Sequence, residues 1–151
     1  MSTGVSPADT GPEAEPIAEA DWTRLAALRR GVRRYLSWAE QRAREHGMTP
    51  AQVQLALALR SHPEPCGPTL TELADTLLLR HHSVVGLVDR AERAGLVRRE
   101  RDPVHASRVH VLLTEPGAER LATLSRLHLA WLAEHGPAFA HVWGSFDGNA
   151  R

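Results

Sequence analysis

The sequence predicts a mainly helical domain that contains one small β-hairpin. Apolar residues recur at steps of three and four through five segments, and threonine-based capping signatures precede three of them. The period falls to two only between Leu96 and Leu113, which predicts the hairpin. With 151 residues, 42% of them hydrophobic, the chain has the length and apolar content of one ordinary domain with a core.

The first helix is predicted over about residues 21–46, with Asp21 as its N-cap and Gly47 as its stop. Its apolar stripe consists of Trp22, Leu25, Leu28, Val32, Tyr35, Ala39 and Ala43. Residues 1–20 combine prolines, glycines and acidic side chains, and have little to bury. We predict a disordered acidic tail there.

Three helices are predicted between residues 49 and 95. Thr49 with Gln52, and Thr69 with Glu72, are capping boxes that start the second helix and a short third helix. The fourth runs from His81 or His82 to Ala94, and Gly95 stops it. Its buried stripe is Val84, Leu87, Val88 and Ala91.

The hairpin and a fifth helix complete the prediction. The hairpin loop is placed near residues 102–107, and Thr114 caps a helix of about 20 residues that is apolar on more than one side. Pro137 is predicted to open a separate short turn, and residues 144–151 to be frayed. The predicted domain thus spans residues 21–143, with long helices at 21–46 and 115–143 around a central region at 49–113.

Two short helices followed by a basic hairpin describe a winged helix-turn-helix, which places its second helix in the major groove of DNA. From Arg80 to His110 there are seven arginines and four histidines against four acidic residues, although the whole chain has a net charge of zero. Double-stranded DNA is therefore the predicted partner. The predicted contacts are Arg80, His82, Ser83, Val85, Gly86, Arg90, Arg99, Arg101 and Arg108.

Four motifs resemble the MarR family of winged-helix transcription factors. In chain order they are GMTPAQ at residues 47–52, LTELADTL at 70–77, VVGLVDRAERAGLVRRERDP at 84–103 and VLLTEPG at 111–117. The resemblance implies a homodimer whose first and last helices intertwine and whose winged lobes bind a pseudo-palindromic operator. It also implies a repressor that a small aromatic or phenolic effector relieves, since that is usual in this family.

The resemblance places two further sets of residues on the long helices. The predicted dimer interface consists of Leu25, Leu28, Val32, Leu121, Leu124, Trp131 and Leu132. Aromatic and histidine side chains on the same helices predict an effector pocket, although they are equally suited to filling a core. This set is Trp22, Tyr35, Trp38, His128 and Trp131.

The sequence departs from the family pattern at the recognition helix and the wing. Gly86 replaces the long polar residue often found in the recognition helix, and His105 and Ser107 stand where the wing commonly has Asp and Arg. These departures keep open an alternative from another class. In that alternative the chain is a winged-helix protein-interaction module with weak or lost DNA binding.

Several other classes of protein are excluded or disfavoured. There is no GxSxG, HExxH, GxGxxG or P-loop pattern, so we predict no enzyme and no cofactor. Pairs such as His81 with His82, or His105 with His110, have no further ligand at metal spacing, and no metal site is predicted. The single Cys66 forms no internal disulfide, and its role as a redox sensor stays open, as does a pH response of the histidines. No apolar run approaches a membrane span, and we expect a cytoplasmic protein.

Overall fold

A computed structural model describes residues 15–144 as five helices and one antiparallel hairpin, which confirms the predicted fold. The elements are α1 (Glu19–Glu45), α2 (Pro50–Ser61), α3 (Leu70–Leu77), α4 (His81–Arg93), β1 (Val97–Arg101), β2 (Val109–Leu113) and α5 (Glu115–Gly144). In the hairpin, Val97 lies opposite Leu113 and Arg101 opposite Val109. Most of the predicted acidic tail and of the predicted frayed C-terminus lies outside the described residues.

Both predicted capping boxes are present. The Gln52 backbone N–H donates to Thr49 Oγ1 at 3.2 Å, and the Thr69 backbone N–H donates to Glu72 Oε2 at 2.7 Å. The predicted N-cap of α1 is wrong, because the helix starts at Glu19 and Asp21 lies within its first turn. A carboxylate is favoured both at the N-cap and in the first turn, because the N-terminal end of a helix dipole is positive. Residue type alone therefore could not tell which of the two positions Asp21 occupies.

The separate turn predicted at Pro137 is also wrong. α5 continues through Pro137 to Gly144, although proline removes one backbone hydrogen bond from a helix. Contacts with α1 continue past the proline. The Phe139 ring lies over Gly31, so close that a Cβ atom on this glycine would be 3.1 Å from the ring. This tertiary contact, which no local pattern reveals, extends α5 to 30 residues.

The core joins all five helices and the hairpin. Its fully buried large side chains are Leu55, Leu73, Val84, Val88, Leu96, Val111 and Leu124. Leu121 and Leu124 are only 3% and 1% exposed within one chain, so their assignment to a dimer interface is wrong. They pack inside a single chain because the core face of α5 covers α2.

A second apolar surface stays uncovered on the long helices, and we call it the apolar stripe. It consists of Leu25, Val32 and Leu36 on α1 with Leu129, Leu132 and Trp143 on α5, all exposed. The predicted interface residues Leu28 and Trp131 are instead half-buried between the two helices. Within residues 15–144, no helix is long and apolar enough to cross a membrane.

Candidate nucleic-acid interface and effector cavity

The turn between α3 and α4 sets the direction of the recognition helix. Leu78 ends α3 in the left-handed conformation, with φ at 53°, and its side chain is 90% exposed. A non-glycine residue there costs roughly 1 kcal/mol. Buried Val84, Leu87 and Val88 then hold α4 against the core, so its opposite side faces outward.

The outward side of α4 carries the predicted recognition residues. His82, Gly86 and Arg90 follow each other at steps of four and therefore share one face. A Cβ atom on Gly86 would meet only the mobile Nη1 end of Arg90, at 3.3 Å, so the glycine leaves room for the guanidinium to lie across the helix. Ser83 and Val85 flank this face and are partly buried, and exposed Arg80 is the N-cap residue.

Arg99 fixes the wing against α4. Its guanidinium donates to Asp89 Oδ1 and to Glu92 Oε2, both at 2.6 Å, and its backbone N–H donates to Glu92 Oε1 at 3.2 Å. The predicted phosphate contact of Arg99 is therefore replaced by a positioning role, since two carboxylates already neutralise it. Asp89 and Glu92 were missed as functional residues, although an acidic pair on α4 before an arginine-rich strand is a detectable signal.

Arg101 and Arg108 lie on the exposed edge of the wing. Among the ion pairs formed by residues 15–144, none involves either arginine. The loop that joins their strands is ordered by Asp102, whose Oδ1 accepts from the backbone N–H groups of Val104 and His105 at 2.7 and 2.8 Å. Arg101 and Arg108 thus stand at the two ends of a structured loop, exposed and without an ion-pair partner among the described residues.

His110 connects the wing to the loop between α2 and α3. Its side chain is buried, with Nδ1 2.7 Å from the Gly67 carbonyl oxygen and Nε2 3.0 Å from Asp102 Oδ2. Both neighbours are acceptors, so both ring nitrogens donate only when the imidazole is protonated. The Asp102 carboxylate and the Gly67 carbonyl accordingly raise the pKa of His110. The backbone N–H of His105 and the His110 ring hold the pKa of Asp102 well below its usual range.

We expect the stability of the protein to fall as pH rises past neutrality because of His110. Its pKa is raised on folding, so its stabilisation is complete below its unfolded pKa of about 6.5 and is lost as pH rises through the folded value. Losing one hydrogen bond should lower the free energy of unfolding by about 1 kcal/mol between pH 6 and 9 in urea titrations. His110→Gln should lose most of this dependence, whereas exposed His81→Gln should keep it. If the free energy of unfolding of His110→Gln falls with pH as it does in the parent, another group is responsible for the pH dependence.

The structure brings together four of the five predicted effector residues. Tyr35 Oη lies 2.9 Å from His128 Nδ1, and the Trp38 and Trp131 rings stack with centroids 5.5 Å apart. Trp22 is wrongly assigned to this cluster, because it lies more than three turns before Tyr35 on α1 and is 52% exposed. His135, which stacks on Trp131 at 4.1 Å, was missed although it lies one turn further along α5.

A cavity of about 230 Å³ lies between α1, α2 and α5 on the Tyr35 side of this cluster. Its lining is Tyr35, Val53, Leu57, Leu121, Leu124, Ser125, His128 and Leu129. Burial lowers the pKa of His128 and raises the pKa of Tyr35, so both groups are neutral near pH 7. With the Tyr35 hydroxyl donating to Nδ1, the His128 Nε2–H is a buried donor that has no partner among the described residues.

The histidines do not form a metal site in the part of the chain that the structure describes, where no group of three His, Cys, Asp or Glu side chains is suitably placed. Of the pair His105 and His110, considered from the sequence, His110 has both ring nitrogens occupied by hydrogen bonds. Cys66 is free and exposed in the loop between α2 and α3.

Comparisons with known proteins agree with this geometry. Residues 46–106 match a model of the MarR family. YkoM of Bacillus subtilis (strain 168), a transcriptional regulator of the helix-turn-helix type, is 30% identical over 92 residues. The match covers 60% of this chain and spans 57% of the length of that relative.

Solved structures of MarR regulators share the fold. One MarR family transcription regulator superimposes with a TM-score of 0.72 at 23% identity, over 84% of this chain and 82% of the other. A Staphylococcus aureus MepR variant bound to an oligodeoxyribonucleotide superimposes with a TM-score of 0.62 at 18% identity, over 79% of this chain and 82% of the other. CouR from Rhodococcus jostii, bound to p-coumaroyl-CoA, has a TM-score of 0.62 at 23% identity, over 72% of this chain and 74% of the other. The family model covers every candidate contact except Arg108.

Proposed function

We propose that this chain, which resembles MarR family regulators in residues 46–106, binds double-stranded DNA as a homodimer and regulates transcription at a pseudo-palindromic operator. The observation that supports this most strongly is the Arg99 bridge. By joining α4 to β1 through Asp89 and Glu92, it presents the recognition face and the wing as one rigid unit. A major groove and its neighbouring phosphates can then be engaged together.

In this proposal the residues divide into three roles. His82 and Ser83, in the first turn of α4, contact base edges, and Val85 contacts a thymine methyl group that the absence of a side chain at Gly86 leaves within reach. Arg80, Arg90, Arg101 and Arg108 contact phosphates and fix the register. Arg99 positions the wing without contacting DNA.

The homodimer is supported by the apolar stripe. Six large apolar side chains on α1 and α5 are exposed in the single chain, and a patch of this kind marks an interaction surface. A second copy of the chain would cover it and place two recognition helices about 34 Å apart, the spacing of successive major grooves.

We further propose a repressor that an effector releases from DNA by binding in the Tyr35–His128 cavity. This cavity is bounded by α2 of the DNA-binding region and by the long helices α1 and α5, so a ligand there can change their relative placement. The Tyr35 and Ser125 hydroxyls of the lining can hydrogen-bond a polar group of the ligand, and the apolar remainder of the lining favours an aromatic body. A small phenolic or carbonyl compound fits both requirements.

Arg108→Ala tests wing contact with DNA. Binding to a duplex from the protein's own upstream region would be measured by fluorescence anisotropy between 50 and 300 mM salt. Removing one phosphate contact should weaken binding at every sequence and lower the slope of log affinity against log salt by about one. Arg126→Ala, which removes an equal charge from the exposed side of α5, should change neither quantity.

The same measurement separates DNA binding from the protein-interaction alternative. A regulator binds the duplex with a steep salt dependence and prefers it to scrambled DNA. If the duplex is bound no better than scrambled DNA and Arg108→Ala has no effect, the interaction-module alternative takes precedence, with the departures at Gly86, His105 and Ser107 as its basis.

A further inference from the structure

An arginine-lined groove runs along α1 and α5 on the other side of the aromatic cluster from the effector cavity. Its volume is about 460 Å³, within the range of small-molecule sites. The lining consists of Arg30, Arg33, Arg34, Ser37, Trp38, Trp131 and His135. An apolar recess of about 190 Å³ adjoins it and shares Arg30, Arg34, Trp131 and His135.

The three arginines carry positive charge that no carboxylate of residues 15–144 neutralises in an ion pair. Among residues 15–144, none of the ion pairs involves Arg30, Arg33 or Arg34. Three arginines nearer the ends of α1 do pair with carboxylates of the same helix: Arg24, Arg42 and Arg44. Three guanidiniums within two turns of one helix repel each other, so an anion of more than one charge would relieve that repulsion.

The floor of the groove is aromatic. The Trp131 and His135 rings are almost parallel, at 11°, and Trp38 stacks beside Trp131 at 28°. The Trp131 ring is already flanked by His135 and Trp38, so a planar ligand ring would extend this stack on the partly exposed His135 ring. Stacking of this kind accepts any heteroaromatic base, because every base has a π-face.

The groove also remains accessible in the proposed dimer. At about 100° per residue, Arg30 and Arg34 lie roughly 160° around α1 from the centre of the apolar stripe. α5 lies between the two surfaces, since Gly31 and Tyr35 face it. A second copy seated on the stripe therefore leaves Arg30 and Arg34 in solvent, whereas Arg33 lies only about 80° from the stripe centre.

We propose that this groove binds a phosphorylated heteroaromatic compound, a nucleoside mono- or diphosphate. The phosphate oxygens would accept from the forks of Arg30, Arg33 and Arg34, a geometry that suits guanidinium. The base would stack on the His135 ring, at the end of the aromatic stack. The site is separate from the effector cavity and from the recognition face, so its occupancy can be measured with no DNA present.

Calorimetric titration of the full-length chain with AMP and ADP tests the proposal, with tryptophan fluorescence as a second readout. We expect binding at micromolar to low millimolar concentrations, and tighter for ADP. Adenosine lacks the phosphate and ribose 5-phosphate lacks the base, so each should bind at least about tenfold more weakly than AMP. Either compound binding as tightly as AMP would overturn the proposal.

Surface variants locate the site. Arg34→Gln should weaken AMP binding about tenfold, and Ser37→Glu, which places a carboxylate among the arginines, should weaken it further. Arg126→Gln removes an equal charge elsewhere on α5 and should bind AMP as the parent does. Ser37 and Arg34 are exposed, and circular dichroism would verify that the variants fold. Unchanged binding in both Arg34→Gln and Ser37→Glu, or no binding of AMP and ADP to the parent, would refute the site.

Discussion

Gly117→Ala should lower the free energy of unfolding by at least about 3 kcal/mol, because the new methyl group would meet backbone and not a mobile side chain. A Cβ atom at Gly117 would overlap the carbonyl oxygen of Leu96. That carbonyl also accepts from the Thr114 backbone N–H at 3.0 Å, and Thr114 Oγ1 accepts from the Gly117 N–H at 3.1 Å. The start of α5 would have to move away from the base of the wing to admit the substitution.

Gly136→Ala is the matched control within the same helix. A Cβ atom at Gly136 meets nothing within 4 Å, so alanine should raise stability by up to about 1 kcal/mol through its higher helix propensity. Urea unfolding of both variants, followed by circular dichroism, measures the two changes. Equal stability of Gly117→Ala and the parent would show that the contact between α5 and Leu96 is looser than the structure indicates.

Local chemistry made most of the fold predictable. The capping boxes at Thr49 and Thr69 fix where α2 and α3 begin, through hydrogen bonds between residues three positions apart. The burial of Val84, Leu87 and Val88 likewise follows from a helical period within one segment. Such features depend on neighbours along the chain, and a single sequence contains them.

Features that depend on distant residues were predicted poorly. Arg99 was assigned to DNA because it lies on a basic strand. The acidic pair Asp89 and Glu92 is visible in the sequence, but only the fold shows which arginine of the strand it binds. Leu121 and Leu124 belong to an apolar face that one chain covers, whereas Leu129 and Leu132 belong to one that it does not. Helical periodicity identifies both faces of α5 as apolar but cannot say which partner covers each.

The double variant Leu36→Glu with Leu132→Glu should convert the proposed dimer to a monomer and abolish tight operator binding. Both side chains are exposed in the single chain, at 53% and 40%, so the monomer should keep its fold. Four carboxylates buried without partners across a twofold interface cost several kcal/mol. Because a dimer gains its affinity from two half-sites held at fixed spacing, operator affinity should fall by about 10²- to 10⁴-fold.

Ala130→Glu is the control for this experiment, because Ala130 is exposed on the side of α5 away from the apolar stripe. Sedimentation velocity would give the oligomeric state, and anisotropy with full and half operators would give the affinities. The double variant should bind the full operator no better than a half-site, whereas Ala130→Glu should match the parent. A double variant that stays dimeric would place the interface elsewhere, and a monomer with full operator affinity would refute the twofold mode of binding.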